Sequence, residues 1–217
     1  MKIIAFGDIH EDLGNVIKIP GLTEADLVLV TGDLTNFGGV SKAREIIEGI
    51  RQYNKNLYAQ PGNLDKKEVG DYLNELGVNL HGKGVIFGSL GIFGLGGSNP
   101  TPFNTPLEYS EQEIAGFLLK GFKDVEDAPV KILISHAPPH NTAADQVKAG
   151  LHVGSSSVRE FLEKHDIKAC ITGHIHEAVC LEVLGRTTVV NPGMLKNGGY
   201  VEIVEEQGAV DVYLRHV

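Results

Sequence analysis

Five separated fragments of the chain place carboxylate, imidazole or carboxamide side chains at the end of an apolar, β-branched run. Lys2-Ile3-Ile4-Ala5-Phe6-Gly7 leads into Asp8-Ile9-His10, and Asp26-Leu27-Val28-Leu29-Val30-Thr31 leads into Gly32-Asp33. Leu57-Tyr58-Ala59 reaches Asn63 through Pro61-Gly62. Val130-Lys131-Ile132-Leu133-Ile134 leads into Ser135-His136. Ile167-Lys168-Ala169-Cys170-Ile171-Thr172 leads into Gly173-His174-Ile175-His176, with Glu177 behind. Runs of this kind read as buried strands. A polar residue just past such a strand lies at the sheet edge where open α/β proteins bind ligands. Packing gives no reason to gather several carboxylates and imidazoles at one edge, whereas a two-metal site does.

The rest of the chain fits around these strands. A strand is expected over 1–10, a short turn or helix over 12–20, and a strand over 26–31. Val40, Ala43, Ile46, Ile47 and Ile50 have helical spacing within 40–53. A short strand at 57–59 precedes a helix over 65–76 that Gly77 closes. This alternation predicts a mostly parallel sheet. Segments 84–88 and 89–94 read as a hairpin opening a second, mixed sheet. A long polar loop covers 95–106, and Ser110 with Glu113 forms a capping box for a helix over 110–122. A strand at 130–135, a loop or short helix at 142–151, a helix at 155–165 and a strand at 167–172 follow. Segments 179–184, 187–191, 200–205 and 210–215 read as an antiparallel meander. No repeat, linker or charge block interrupts the chain, so a single domain over 1–217 is expected, with two packed sheets and helices outside.

The net charge of −9 opposes sequence-independent binding to nucleic acid, which relies on Lys and Arg at phosphates. It leaves room for an anionic substrate, because bound divalent cations dominate local charge. Cys170 and Cys180 read as small buried hydrophobes without zinc-like spacing. No apolar run reaches membrane-spanning length, and no basic segment leads an apolar one at the start. A cytoplasmic protein is the expectation.

Asp, His and Asn donors suit manganese, iron, zinc, cobalt or nickel. Asp8 and His10 are two apart, as are His174 and His176, and side chains two apart on extended backbone share a face. One His can then serve each of two metals lying roughly 3.5–4 Å apart. A carboxylate has to bridge such a pair, and Asp33 is the candidate.

In this order the blocks D-x-H, G-D, G-N-x-D, H and G-H-x-H resemble those of the calcineurin-like metallophosphoesterases, from Asp8 to His176. The resemblance implies a four-layer α/β/β/α sandwich with two mixed sheets. It implies that Asp8, His10 and His176 hold one cation, that Asn63, His136 and His174 hold another, and that Asp33 bridges them. Manganese is expected first, with iron, nickel, zinc or cobalt as alternatives. The implied chemistry is hydrolysis of a small phosphomonoester or phosphodiester by a metal-bound water.

One block departs from the pattern. Gly62-Asn63-Leu64-Asp65 stands where the family carries Gly-Asn-His-Asp. The missing imidazole contacts the phosphate or protonates the leaving group, help worth roughly 10²–10⁴ in rate. Asp65 is read as orienting backbone around Asn63. His140, close to His136 in sequence, and His152, just before a helix whose free amides suit a phosphate, are the candidates to supply what Leu64 lacks. For His140 the alternative is an ordinary loop residue. His81, His165 and His216 are expected on the surface. The loop 96–103 either shapes a substrate pocket or merely crosses between sheets. Two other functions share these blocks: a non-catalytic metal-binding scaffold that holds a protein partner, and a nuclease, which the acidic balance disfavours.

Overall fold

The computed structural model describes residues 1–217. Its first sheet has the order β11-β10-β1-β2-β3. Strands β1 (Lys2–Phe6), β2 (Leu27–Val30) and β3 (Leu57–Ala59) run parallel, while β10 (Gly199–Glu206) and β11 (Ala209–His216) are antiparallel additions. The second sheet has the order β4-β5-β6-β7-β9-β8. Here β5 (Leu90–Leu95), β6 (Val130–Ser135), β7 (Ala169–Thr172) and β9 (Thr187–Asn191) are parallel. The edges β4 (Gly84–Phe87) and β8 (Cys180–Leu184) pair antiparallel.

Alternation along the strands decides the layering, since successive side chains point to opposite faces. Ile3, Ala5, Leu27 and Leu29 meet Ile92, Ile132, Ile134, Ile171 and Val190 in one buried cluster between the two sheets. Ile4, Phe6, Val28 and Val30 face the other way. They pack on helices α1 (Val40–Arg51) and α2 (Lys67–Glu75) through Ile46, Ile47, Ile50, Val69 and Leu73. Phe93, Leu133, Cys170 and Val189 pack on α3 (Glu111–Lys123) and α4 (Ser156–Lys164) through Ile114, Leu118, Val158 and Phe161. The result is the expected α/β/β/α sandwich. No helix is long and apolar enough to cross a membrane.

Three local expectations need correction. The first strand stops at Phe6, because Asp8 and His10 adopt left-handed backbone. The C-terminal strands are not one meander: β8 and β9 belong to the second sheet and β10 and β11 to the first. The Asn191-Pro192-Gly193 turn carries the chain across, Asn191 donating to Ile175 O and accepting from Gly193 N. His81 is not a free surface residue. Its ring stacks on Tyr109 and tilts against Phe117, and its Nδ1 accepts the Gly96 N–H at 3.0 Å.

Candidate metal centre

Four of the seven candidate ligands adopt a conformation that a strand cannot continue. Asp8 (φ 46°), His10 (φ 48°), Asp33 (φ 48°) and His174 (φ 69°) all occupy the left-handed region. That region costs a residue with a Cβ about 1–2 kcal/mol, and such strain collects where surrounding contacts hold it. The holding contacts are mutual. Asp8 N donates to Gly32 O at 3.0 Å, and Ile9 N and His10 N both donate to Asp33 O at 2.9 Å.

The glycines before Asp33, Asn63 and His174 permit close approach. A Cβ on Gly62 would collide with the backbone N and Oδ1 of Asp33. One on Gly32 would lie 2.6 Å from His136 Nδ1, and one on Gly173 would lie 2.5 Å from Asp8 Oδ2.

The loops bring the seven candidate ligands into two groups that meet at Asp33. Ligand atoms of Asp8, His10, Asp33 and His176 all lie within 4.8 Å of one another. His10 Nε2 is 3.0 Å from His176 Nε2, which is 3.3 Å from Asp8 Oδ1. In the second group Asn63 Oδ1 lies 2.9 Å from His136 Nε2 and 2.8 Å from His174 Nδ1. Asp33 faces both: Oδ2 is 3.8 Å from His10 Nε2 and Oδ1 is 3.5 Å from His136 Nε2.

Residues behind this cluster aim the ligand atoms. His136 Nδ1 is 3.2 Å from Thr31 O and His10 Nδ1 is 2.9 Å from Asn36 Oδ1. Each acceptor calls for a proton on Nδ1 and so makes Nε2 the ring nitrogen that faces the site. Asn63 Nδ2 donates to Thr105 Oγ1, which donates in turn to Glu108. Asp65 lies fully buried behind two ligand loops and accepts from Gly62 N, Leu34 N, Thr35 N and the Thr35 hydroxyl.

Burial and mutual charge set the protonation of the cluster. Burial raises Asp33, but His136 outweighs it and holds the carboxyl below its usual range. Burial opposes charge on His136 as well, and Asp33 lifts that imidazole to about 9. His174 is pushed down to about 4 by burial and by His136. Asp65 is pushed up to about 6 by burial and by Asp33. A bound cation would invert these tendencies, because it becomes the largest local charge.

The cluster opens into a cleft of about 960 Å³, bordered by Asp33, Asn63, His174 and His176. His140 and His152 border it too. Both aim Nδ1 at the buried Asp145, at 3.4 Å and 2.6 Å. Asp145 also accepts from Asn141 N, Thr142 N and Gly154 N. The helix terminus beside His152 is not free for a phosphate: Glu111 accepts Ser156 N and Ser157 N, and Ser155 Oγ accepts Val158 N. Glu177 borders the cleft and accepts Lys148 N, with no contact to the ligand histidines among its hydrogen bonds.

Comparison with known proteins agrees with this geometry. The calcineurin-like phosphoesterase family matches residues 1–178. This chain belongs to that family. It is 41% identical over 198 residues to the protein MJ1162 of Methanocaldococcus jannaschii, covering 88% of each. Among solved structures, TT1561 of Thermus thermophilus superposes with a TM-score of 0.73 at 19% identity, over 98% of this chain and 97% of that one. A dimetal phosphatase from Danio rerio superposes with a TM-score of 0.59 at 10% identity, over 100% and 96%. At such identities the structures share the fold. The calcineurin-like phosphoesterases hydrolyse phosphoric esters, and Asp8, His10, Asp33 and His176 give this member a candidate metal site.

Asn36, Thr105 and Asp145 are the site residues that sequence reasoning missed. Asp145 had a legible signal, since Thr142 and Asp145 form a capping box. Thr105 and Asn36 sit in loops without any spacing that marks them.

Proposed function

We propose that this protein is a metal-dependent phosphoesterase that hydrolyses a small phosphomonoester or phosphodiester with two divalent transition cations, manganese first among them. The observation that carries the reading is Asp33. One of its oxygens faces His10 and the other faces His136, as a bridging carboxylate requires. Asp8, His10 and His176 would hold one cation, and Asn63, His136 and His174 the other. Their oxygen and imidazole donors suit borderline divalent metals. When bound, such a pair supplies an activated water and offsets charge on the phosphoryl oxygens. Asp65 positions the loops of Asp33 and Asn63 from behind.

In this reading the proton for the leaving oxygen comes from His152, with His140 beside it. Asp145 takes Nδ1 of His152 at 2.6 Å and leaves Nε2 without a protein partner. A buried carboxylate on the far ring nitrogen fixes the tautomer and supports the imidazolium. No Lys or Arg borders the cleft, and these two rings are the only imidazoles on it besides the candidate ligands.

The test is hydrolysis of an activated aryl phosphodiester by protein reloaded with each first-row divalent metal, with metal content measured alongside. Turnover with manganese, lost in Asp33→Ala and His174→Ala, is the expected result. Metal-loaded but inert protein would favour the scaffold alternative instead.

A further inference from the structure

Phe37 is held in a place that folding does not explain. Its backbone is left-handed, with φ 59°, a region that disfavours every residue carrying a Cβ. Its side chain gains little in return, since the residue is 53% exposed. The local backbone is nonetheless pinned. Phe37 N donates to Leu64 O at 3.2 Å, Thr35 donates its hydroxyl to Asp65 at 2.8 Å, and Gly38 N donates to Thr35 Oγ1 at 3.1 Å. Glycine would relax this backbone and a polar side chain would be better solvated. Backbone strain that surrounding contacts hold in place collects at ligand-binding and catalytic positions.

Phe37 borders the cleft that holds Asp33, Asn63 and His174. A second phenylalanine borders it from another loop. Phe103 is 81% exposed and lies between Pro102 and Asn104, which is itself left-handed at φ 51°. That loop is pinned as well: Phe103 N donates to Thr101 Oγ1 at 3.2 Å, and Thr101 donates to Glu108 at 2.6 Å. Leu64 and Val153 extend the apolar border. The lining of the cleft therefore combines metal-type donors with rings and apolar side chains. It carries no Lys or Arg to receive further negative charge. Its size is that of a site for a nucleotide-sized ligand.

We propose that Phe37 and Phe103 receive the alcohol portion of the ester, and that this portion carries a flat aromatic ring, either an aryl group or a nucleobase. The inference rests on the phosphoesterase reading only for the anchoring of the phosphoryl group. Stacking on a phenylalanine ring tolerates any flat π-face, so the two sources share one chemistry.

The test is calorimetric binding of three non-hydrolysable probes to the manganese-loaded protein: methylphosphonate, phenylphosphonate and a nucleoside 5′-phosphonate. At least one aromatic probe is expected to bind about tenfold or more tighter than methylphosphonate. The tighter of the two identifies the aryl or the nucleobase source. Phe37→Leu and Phe103→Ala should each remove most of that advantage and leave methylphosphonate affinity unchanged. Phe37→Gly should do the same with a thermal midpoint equal to or above that of the parent, which separates ligand contact from a structural role. Equal binding of all three probes, or variants that weaken all three alike, would overturn the aromatic subsite alone. Binding of none would overturn the phosphoesterase reading together with it.

Discussion

Asn63 donates its amide N–H to Thr105 Oγ1 at 3.0 Å. The Thr105 hydroxyl proton is already given to Glu108 at 2.7 Å, so that hydroxyl can only accept from Asn63. The chain of three fixes which end of the carboxamide faces His136 and His174. Glu108 stays ionised because hydrogen bonds from Thr101 and Thr105 outweigh its partial burial and hold it down to about 2. A loop forty-two residues away in sequence thus decides whether Asn63 shows oxygen or nitrogen to the site.

Thr105→Val keeps the shape of the side chain and removes the acceptor. Asn63 Nδ2 would then be buried without a partner, a loss of about 1–3 kcal/mol in stability. Metal affinity should fall roughly 10–100-fold, as it does when outer hydrogen bonds to a ligand are lost. Competition with a chelator measures it. Unchanged affinity would remove Asn63 from the ligand set.

Gly173→Ala tests close approach without deleting any donor. The added Cβ would meet Asp8 Oδ2 at 2.5 Å, so the carboxylate has to move away from His176. Stability should drop by about 1–3 kcal/mol, the usual range for overpacking. Metal content should fall with it. If the variant binds metal like its parent, Asp8 does not need the position it occupies.

The strands and the blocks of candidate ligands were legible because both are local patterns. Ile3-Ile4-Ala5-Phe6 announces a strand buried on both faces, but its end was not legible, because the left-handed backbone at Asp8 and His10 is imposed by the loops they meet. The blocks also carried their glycines in sequence, and the clashes at Gly62 and Gly173 give the physical reason. What resisted reading depends on chain segments meeting in space. Nothing near Tyr200 or Val210 says that β10 pairs with β1 and not with β9, since a short strand fits either edge. Nothing near Thr105 says that its hydroxyl reaches Asn63. His81 looked exposed because its sequence neighbours are polar, yet Tyr109 and Phe117 cover it from an element that follows much later.

His81 makes part of the stability depend on pH. Burial, and then the charge of Lys120, hold its imidazole down to about 4 against an ordinary value of 6.5. The unfolded chain therefore takes up this proton first. The contribution is fully present above pH 6.5 and is lost as pH falls from there toward about 4. On the order of 2 kcal/mol is at stake once the partial exposure of the ring is discounted. Urea unfolding of His81→Gln should show a shallower loss of stability across that window than the parent shows. Parallel pH curves would mean that the ring protonates freely in the folded state.

Leu64 and His152 border one cleft, and only His152 can carry a proton. The backbone of residue 64 serves Asp33 whatever the side chain, because Leu64 N donates to Asp33 Oδ1 at 2.9 Å. A side-chain exchange at 64 therefore leaves that contact in place. If His152 protonates the leaving oxygen, His152→Gln should slow esters of poorly leaving alcohols by roughly a hundredfold or more. It should barely change a p-nitrophenyl ester, whose leaving group needs no proton. Adding Leu64→His to His152→Gln should restore part of the loss on the poor leaving groups, because an imidazole again faces the cleft. A uniform loss on every ester would instead make His152 a residue that binds substrate, and the dependence of rate on leaving-group pKa measures the difference.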